Sequence, residues 1–249
     1  MFHCFVPEAG PGIIRITGKD MHHIKNVLRM KQGEALCVSN GRDLDFYCTV
    51  IGFEDDAVLV QTDHEAGMAA ELPSDIILYQ GLPKADKMEF IIQKAVELGA
   101  AGIVPVAMKR SVVKLDEKKQ EKKLARWQSI AESAAGQCGR VRVPEIYPVC
   151  TIAQAVENVK TDADMILVPY ESAEGMQGTK RALEDVRPGM KIAVFIGPEG
   201  GFESAEIEML KEAGAGIVSL GHRILRTETA GLAAITMLMI RLEMIAEEY

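Results

Sequence analysis

Apolar and polar positions keep two different rhythms along the 249 residues of the chain. Up to about residue 71, short alternating runs ("GIIRI", "ALCVSN", "DFYCTVIGF", "AVLVQT") are separated by turn-forming clusters such as "SNGRD" and "FEDD". Successive side chains of a strand point to opposite faces, so a period of two with frequent turns predicts a small β-rich unit, a barrel. "DMHHIKNVLRM" interrupts it as a short helix with Asp20 placed to cap.

From Leu72 onward, apolar strands ("DIILYQGL", "GIVPV", "DMILVPY", "KIAVFIG", "GIVSLG") alternate with helical patterns ("KADKMEFIIQKAVELG", "KKQEKKLARWQSIAESAAGQCG", "SAEIEMLKEAG"). That alternation predicts a mostly parallel α/β sheet covered on both faces. The expected division is residues 1–71 and 72–249, with "MAAELPSD" as the linker. The run "AGLAAITMLMI" is too short to span a bilayer and reads as a buried helix.

Composition changes this picture in two places. The five cysteines form no C-x-x-C pair, which argues against a zinc site or a disulfide framework and for reduced thiols in a cytoplasm. Nor does the N-terminus carry the pattern of an export signal. The formal charge is −8, yet residues 109–142 hold ten Lys/Arg against four Asp/Glu. One basic segment in an acidic protein suits a selective RNA contact, since phosphates need local rather than global positive charge; a solvated helix face is the alternative. Adjacent His22 and His23 point different ways from a helix and do not chelate as an i, i+4 pair would, and Trp127 reads as a core anchor.

Candidate chemistry concentrates in two loops that follow strands. "IGPEGGF" follows "KIAVF", and "LGHRILRTETAG" follows "GIVS". Ligands of open α/β sheets bind at the carboxyl ends of strands. Neither loop matches a phosphate fingerprint, Pro198 removes a backbone donor, and Glu199 would repel a pyrophosphate. Glycines also let backbone groups approach and read a flat ring such as adenine, which tolerates a nearby carboxylate. A plain strand-to-helix turn is the competing reading. In the second loop Thr229 is placed to cap the following helix, and Arg226 and Glu228 could pair with each other.

"IGPEGGFESAEI" followed by "LGHRILRTETA" resembles the two C-terminal motifs of the SPOUT methyltransferases, specifically the ribosomal RNA small subunit methyltransferase E family. The likeness extends through "GLPKADKMEFIIQKAVELGA", "KRSVVKL", "QCGRVRVPEI", "LVPYE", "HHIKNVLRMKQGE" and "NGRD", covering essentially the whole chain. The chain departs from the family pattern at Ser133 and Gly136 and at His3 and Cys4. The resemblance implies an α/β fold: a C-terminal SPOUT domain with a trefoil knot and an N-terminal PUA-like β-barrel for RNA. It also implies a homodimer, S-adenosyl-L-methionine (SAM) as methyl donor, no metal, and methylation of N3 of one uridine in 16S rRNA.

Carried over by position, cofactor contacts are expected from Pro169, Gly197, Glu199, Gly200, Gly201, Leu220, Gly221, Ile224, Leu225, Arg226 and Thr229. Arg226 is the candidate to stabilise the uracil oxygens and Glu228 the candidate base; Arg29, Lys31, Lys109, Arg110 and Arg140 are expected at RNA. Two other classes stand beside this reading: a nucleotide-binding α/β enzyme with a degenerate phosphate loop, and a non-catalytic RNA-binding protein.

Overall fold

A computed structural model describes all residues except 68–69, 114, 172–174 and 248–249. Part of the expected linker, Met68 and Ala69, therefore lies outside the described residues. The chain divides into two compact units, residues 1–71 with 135–143, and residues 72–134 with 144–249.

The first unit contains β1 (His3–Phe5), β2 (Ile13–Ile16), helix α1 (Gly18–His22), β3 (Ala35–Ser39), β4 (Asp45–Phe53) and β5 (Val58–Ala66). Its sheet runs in the order β1-β3-β4-β5-β2, antiparallel except for the parallel β1–β3 pair. Alternate residues of these strands, among them Ile14, Ile16, Leu36, Val38 and Phe46, supply one apolar core. Helix α1 widens into a π turn over His23–Leu28 and ends at Arg29 in the left-handed conformation (φ 54°). The helix begins one turn earlier than Asp20 would set it: Thr17 occupies the capping position and Asp20 lies inside the first turn.

Segment 135–143 joins this unit through Arg140, whose side chain is 4% exposed and grips Glu71 with Nη2 at 2.6 Å from Oε2. Glu71 also accepts the Arg142 N–H (3.1 Å). A buried pair of this kind holds only because further hydrogen bonds compensate the desolvation of both charges.

The second unit follows the expected alternation: β6 (Asp75–Gly81), α2 (Lys87–Glu97), β7 (Gly102–Ala107), α3 (Glu117–Cys138, whose last turn belongs to the first unit), β8 (Glu145–Ile146), β9 (Cys150–Thr151), α4 (Ile152–Asp162), β10 (Met165–Pro169), α5 (Gln177–Asp185), β11 (Lys191–Ile196), α6 (Ser204–Glu212), β12 (Gly216–Val218) and α7 (Thr227–Ala246). All pairings are parallel, in the order β12-β10-β11-β6-β7-β8, with β9 also on β7. Parallel strands buried on both faces read as near-continuous apolar runs, and "KIAVFI" of β11 is buried from its second residue to its last. On one face Tyr79 stacks on Phe195 with centroids 4.4 Å apart; Trp127 is 2% exposed, the anchor it was read to be.

After edge strand β12 the chain returns to the sheet centre, where α7 packs on β11, β6 and α2. A return of this kind is what the knotted fold implied by the resemblance requires. Helix α7 is long and apolar enough by length and composition to cross a membrane, but one face of it, including Ala234, Ile235, Leu238 and Leu242, is buried in this core. The opposite face departs from the expected buried helix: Ile240 and Met244 are 48% and 57% exposed.

Candidate active site

Because every strand of the second sheet is parallel, the carboxyl ends of β10, β11 and β12 share one edge. The segments leaving those ends enclose a cavity of about 640 Å³, the size of a small-molecule site. Pro169 ends β10 and Tyr170 follows it, Gly197–Phe202 follow β11, and Ser219–Gly221 and Arg223–Thr227 follow β12 around it.

The first loop is tightly held. Gly201 adopts φ +67°, a conformation that disfavours any side chain, in a turn closed by its N–H donating to Pro198 O (2.9 Å). Its approach to β6 is close: a Cβ on Gly81 would stand 2.6 Å from Pro198 N. Thr227 Oγ1 donates to Gly197 O (2.6 Å) and accepts from Gln80 Nε2 (2.9 Å), so one hydroxyl joins β6, the first loop and the start of α7. Arg110 Nη1 donates to Gly200 O (3.0 Å). Helix α6 starts from a reciprocal capping box between Glu203 and Glu206, and buried Glu206 also accepts the Lys109 N–H (2.9 Å).

The second loop is anchored at its base and open at its tip. Ser219 exchanges hydrogen bonds with Thr179 Oγ1 (2.7 and 2.9 Å), and Gly221 N–H donates to Ser219 Oγ (3.2 Å). Beyond that, Arg223, Ile224 and Arg226 are exposed, Ile224 at 84%. Among the described residues, no ion pair or hydrogen bond engages the Arg226 guanidinium.

Three acid–base groups meet at the seam between the loops. Lys87 Nζ lies 3.0 Å from Glu199 Oε1 and 3.3 Å from Glu228 Oε2. Glu199 also accepts the Lys84 N–H (3.1 and 3.3 Å). Burial pushes the Glu199 carboxyl up, but hydrogen bonds from its own backbone, Lys87 and Lys84 outweigh it and hold the group below its ordinary range. The hydrogen bond to Glu199, helped by Glu228 and opposed by burial, raises Lys87 above the ordinary lysine value.

The cavity brings together most of the residues read from the sequence: Pro169, Gly197, Glu199, Gly200, Gly201, Leu220, Gly221, Ile224, Leu225 and Arg226 all line it, and so does Arg110. Two do not line it. Thr229 is the third residue of α7 and exposed, because the helix begins at Thr227 with Arg226 in the capping position; Thr229 therefore neither caps nor reaches the cavity. Glu228 sits behind the wall on Lys87 rather than on Arg226.

Of the residues expected at RNA, Arg29, Lys31 and Lys109 are exposed, whereas Arg140 is buried against Glu71 and presents no guanidinium to a phosphate. Sequence reading missed Lys87, Gln80, Thr227 and Glu206, whose partners lie far away along the chain. His22 and His23 form no cation site among the described residues; His23 stacks on Phe2 (5.2 Å). One group there has the spacing to hold a cation: His3, Cys37 and Asp45 in the first unit, within 4.8 Å of one another. Burial, with Asp45 adding to it, pushes the Cys37 thiol up to about 12, so it stands as a neutral thiol beside the His3–Asp45 pair (3.2 Å).

Comparison with known proteins places this arrangement. Residues 70–239 match the family described as RNA methyltransferase domain, and residues 16–63 match the RNA methyltransferase PUA domain. The chain is 38% identical to the ribosomal RNA small subunit methyltransferase E of Bacillus subtilis over 233 residues, 92% of this chain and 91% of that one. It is 30% identical to the Mesomycoplasma hyopneumoniae protein of the same name, over 95% of this chain and 98% of its relative. Among solved structures, the small subunit methyltransferase E of Neisseria gonorrhoeae bound to S-adenosyl methionine superposes with a TM-score of 0.83 at 33% identity, covering 94% and 95% of the two chains. A Legionella pneumophila structure in complex with SAM gives 0.84 at 32%, over 96% and 97%. With a PUA-type unit ahead of an α/β methyltransferase unit and likeness over nine-tenths of its length, this chain belongs to the ribosomal RNA small subunit methyltransferase E family.

Proposed function

We propose that the protein transfers a methyl group from SAM to N3 of one uridine in the 16S rRNA of the small ribosomal subunit, acting in the cytoplasm. The observation that carries this reading is the single cavity closed by the two signature loops at the carboxyl edge of the sheet. Its walls suit SAM. Main-chain groups of Gly197–Gly201 and Leu220–Leu225 offer donors and acceptors for an adenine edge, Ile196, Pro169 and Leu225 offer apolar contact, and the Glu199 carboxylate suits a cationic ligand where a phosphate would be repelled. When bound, SAM supplies an electrophilic methyl group on a sulfonium.

The chain's own residues then have to bind and ready the uracil. Its N3–H is weakly acidic, and the proton passes to solvent water. N3 bonds the methyl carbon as the methyl–sulfur bond breaks to leave S-adenosyl-L-homocysteine, and the charge developing on the ring oxygens must be stabilised meanwhile. Arg226, on the cavity wall with its guanidinium unengaged, is positioned to accept that charge, and Arg110 to hold the adjoining backbone phosphate. Glu228 is behind the wall and turned to Lys87, which favours a supporting role over direct proton abstraction.

Lys109, Arg29 and Lys31 are solvent-accessible cations for further phosphates, with the PUA-type unit as the second RNA surface. Arg140 is set aside because of its pairing with Glu71. The exposed apolar side chains Ile240 and Met244 of α7 and Phe90 of α2, two helices that pack together, support a homodimer through that face.

The test is incubation with labelled SAM and small subunits lacking the modification, followed by nucleoside mapping. Label in 3-methyluridine at one position of 16S rRNA is expected. Label in any other nucleoside, or none with wild-type protein that binds SAM, contradicts the reading.

A further inference from the structure

We propose that Lys87 is the positioning residue of this pocket: its ammonium bridges Glu199 of the glycine loop and Glu228 in the first turn of α7, and so latches the glycine loop to the helix in which the arginine loop ends. The inference rests on the methyltransferase reading above.

Four features of the structure converge on it. Lys87, the first residue of α2, touches the glycine loop at 3.0 Å and the first turn of α7 at 3.3 Å. A cation at a helix N-terminus stands against the positive end of the helix dipole, so this placement is unfavourable unless nearby anions offset it. The turn that delivers the lysine is itself constrained. Ala85 lies in the left-handed region (φ 53°), which non-glycine residues avoid and which recurs where function fixes the backbone, and the Lys84 N–H is bound to Glu199. Last, Glu228 Oε2 is buried with no hydrogen-bond partner among the described residues, outside bonding geometry but within ion-pair distance of Lys87. Removing the ammonium would strand that oxygen and leave two carboxylates facing each other without a counter-charge.

The latch also explains why a glutamate sits among the glycines of the first loop. Glu199 and Lys87 both line the cavity and pair with each other, so the wall that meets the ligand is fixed by the same pair that fixes the seam. Glu228, the second residue of α7, extends the hold to the first turn of that helix, where Arg226 and Thr227 stand. Lys87 therefore lines the cavity while holding Glu199 and Glu228 in place around it.

Calorimetric titration of SAM into the apo-protein, with thermal unfolding of each variant, tests the latch. Wild type is expected to bind. Lys87→Met is expected to unfold cooperatively yet bind SAM about tenfold more weakly. Lys87→Arg should recover most of the affinity, and adding Glu228→Gln to Lys87→Met should recover part of it, because one uncompensated carboxylate that does not line the cavity is gone. A Lys87→Met protein that binds as tightly as wild type overturns the proposal, and so does a double variant no better than the single one. Should Lys87→Met fail to fold, Lys87→Gln against Lys87→Arg carries the same comparison. Wild-type protein that does not bind SAM overturns the methyltransferase reading instead, which keeps the two failures apart.

Discussion

The two loops around the cavity differ in composition, one rich in glycine and the other in arginine, and are held in opposite ways. The glycine loop is tied down from several directions, by Thr227 at Gly197, Arg110 at Gly200, and Lys87 and the Lys84 N–H at Glu199. The arginine loop is fixed at Ser219 and Gly221 and then runs free, with Arg223, Ile224 and Arg226 in solvent. A wall that must read a rigid adenosine gains from being preorganised, because ordering it on binding would subtract from affinity. A lip that must receive an RNA strand needs side chains still able to move. On the function proposed above, the glycine loop and the main chain of residues 220–225 are expected to hold the cofactor, and the exposed side chains of the arginine loop to meet the reacting base.

That contrast can be broken by exchanging effects on stability for effects on turnover. The largest effect is expected at the free lip. Arg226→Ala should lower kcat about a hundredfold or more, equivalent to roughly 3 kcal/mol of lost charge stabilisation, while thermal unfolding and SAM affinity stay near wild type. Full turnover at saturating SAM and RNA would remove Arg226 from the chemistry.

On the fixed side the order reverses. Gly81→Ala drives a methyl group into backbone, 2.6 Å from Pro198 N, where neither partner is a flexible side chain. A loss of about 2–3 kcal/mol in denaturant unfolding is expected, with SAM binding impaired beyond it. Thr227→Val keeps the shape but removes the hydroxyl joining Gln80 to Gly197, and should cost about 1–2 kcal/mol and raise the KM for SAM. If either variant matches wild type in both measurements, the glycine loop is not preorganised as described.

The smallest effect concerns pH. Glu199 is held below its ordinary range in the fold, so its contribution is present above the unfolded carboxyl value, about 4.3, and is lost as pH falls through the folded one. Apo-protein stability should therefore decline on acidification, and Glu199→Gln should make that decline shallower by a small but measurable amount. An unchanged acid limb in the variant would mean that Glu199 carries none of it.

The same contrast marks what the sequence could reveal. Alternation of strand and helix, the two units and the place of each loop at a strand's carboxyl end follow from local patterns, period two or three-and-a-half and glycine after an apolar run, whereas the joining of the two loops in one site was implied by the family resemblance. Helix α4 carried a readable signal in the Thr151/Gln154 capping box, whereas α5 is short and polar, with only Thr179 buried, and carries no side-chain cap.

Lys87 and Gln80 were hidden for another reason. A lysine in an amphipathic helix looks like any solvated charge until a carboxylate more than a hundred positions away is brought to it. Arg140 shows the converse. Its neighbourhood is basic, but folding places it on Glu71, sixty-nine positions earlier. The capping position lies three residues before Thr229, at Arg226, and Thr227, the first residue of α7, turns its hydroxyl to the glycine loop.

A crystal of the protein grown with SAM addresses the central claim most directly. Adenosine held by main-chain groups of residues 197–201 and 220–225, with the donor methyl directed toward Arg226, is the predicted result. SAM bound elsewhere, or the two loops drawn apart around it with Lys87 released from both glutamates, would contradict the account.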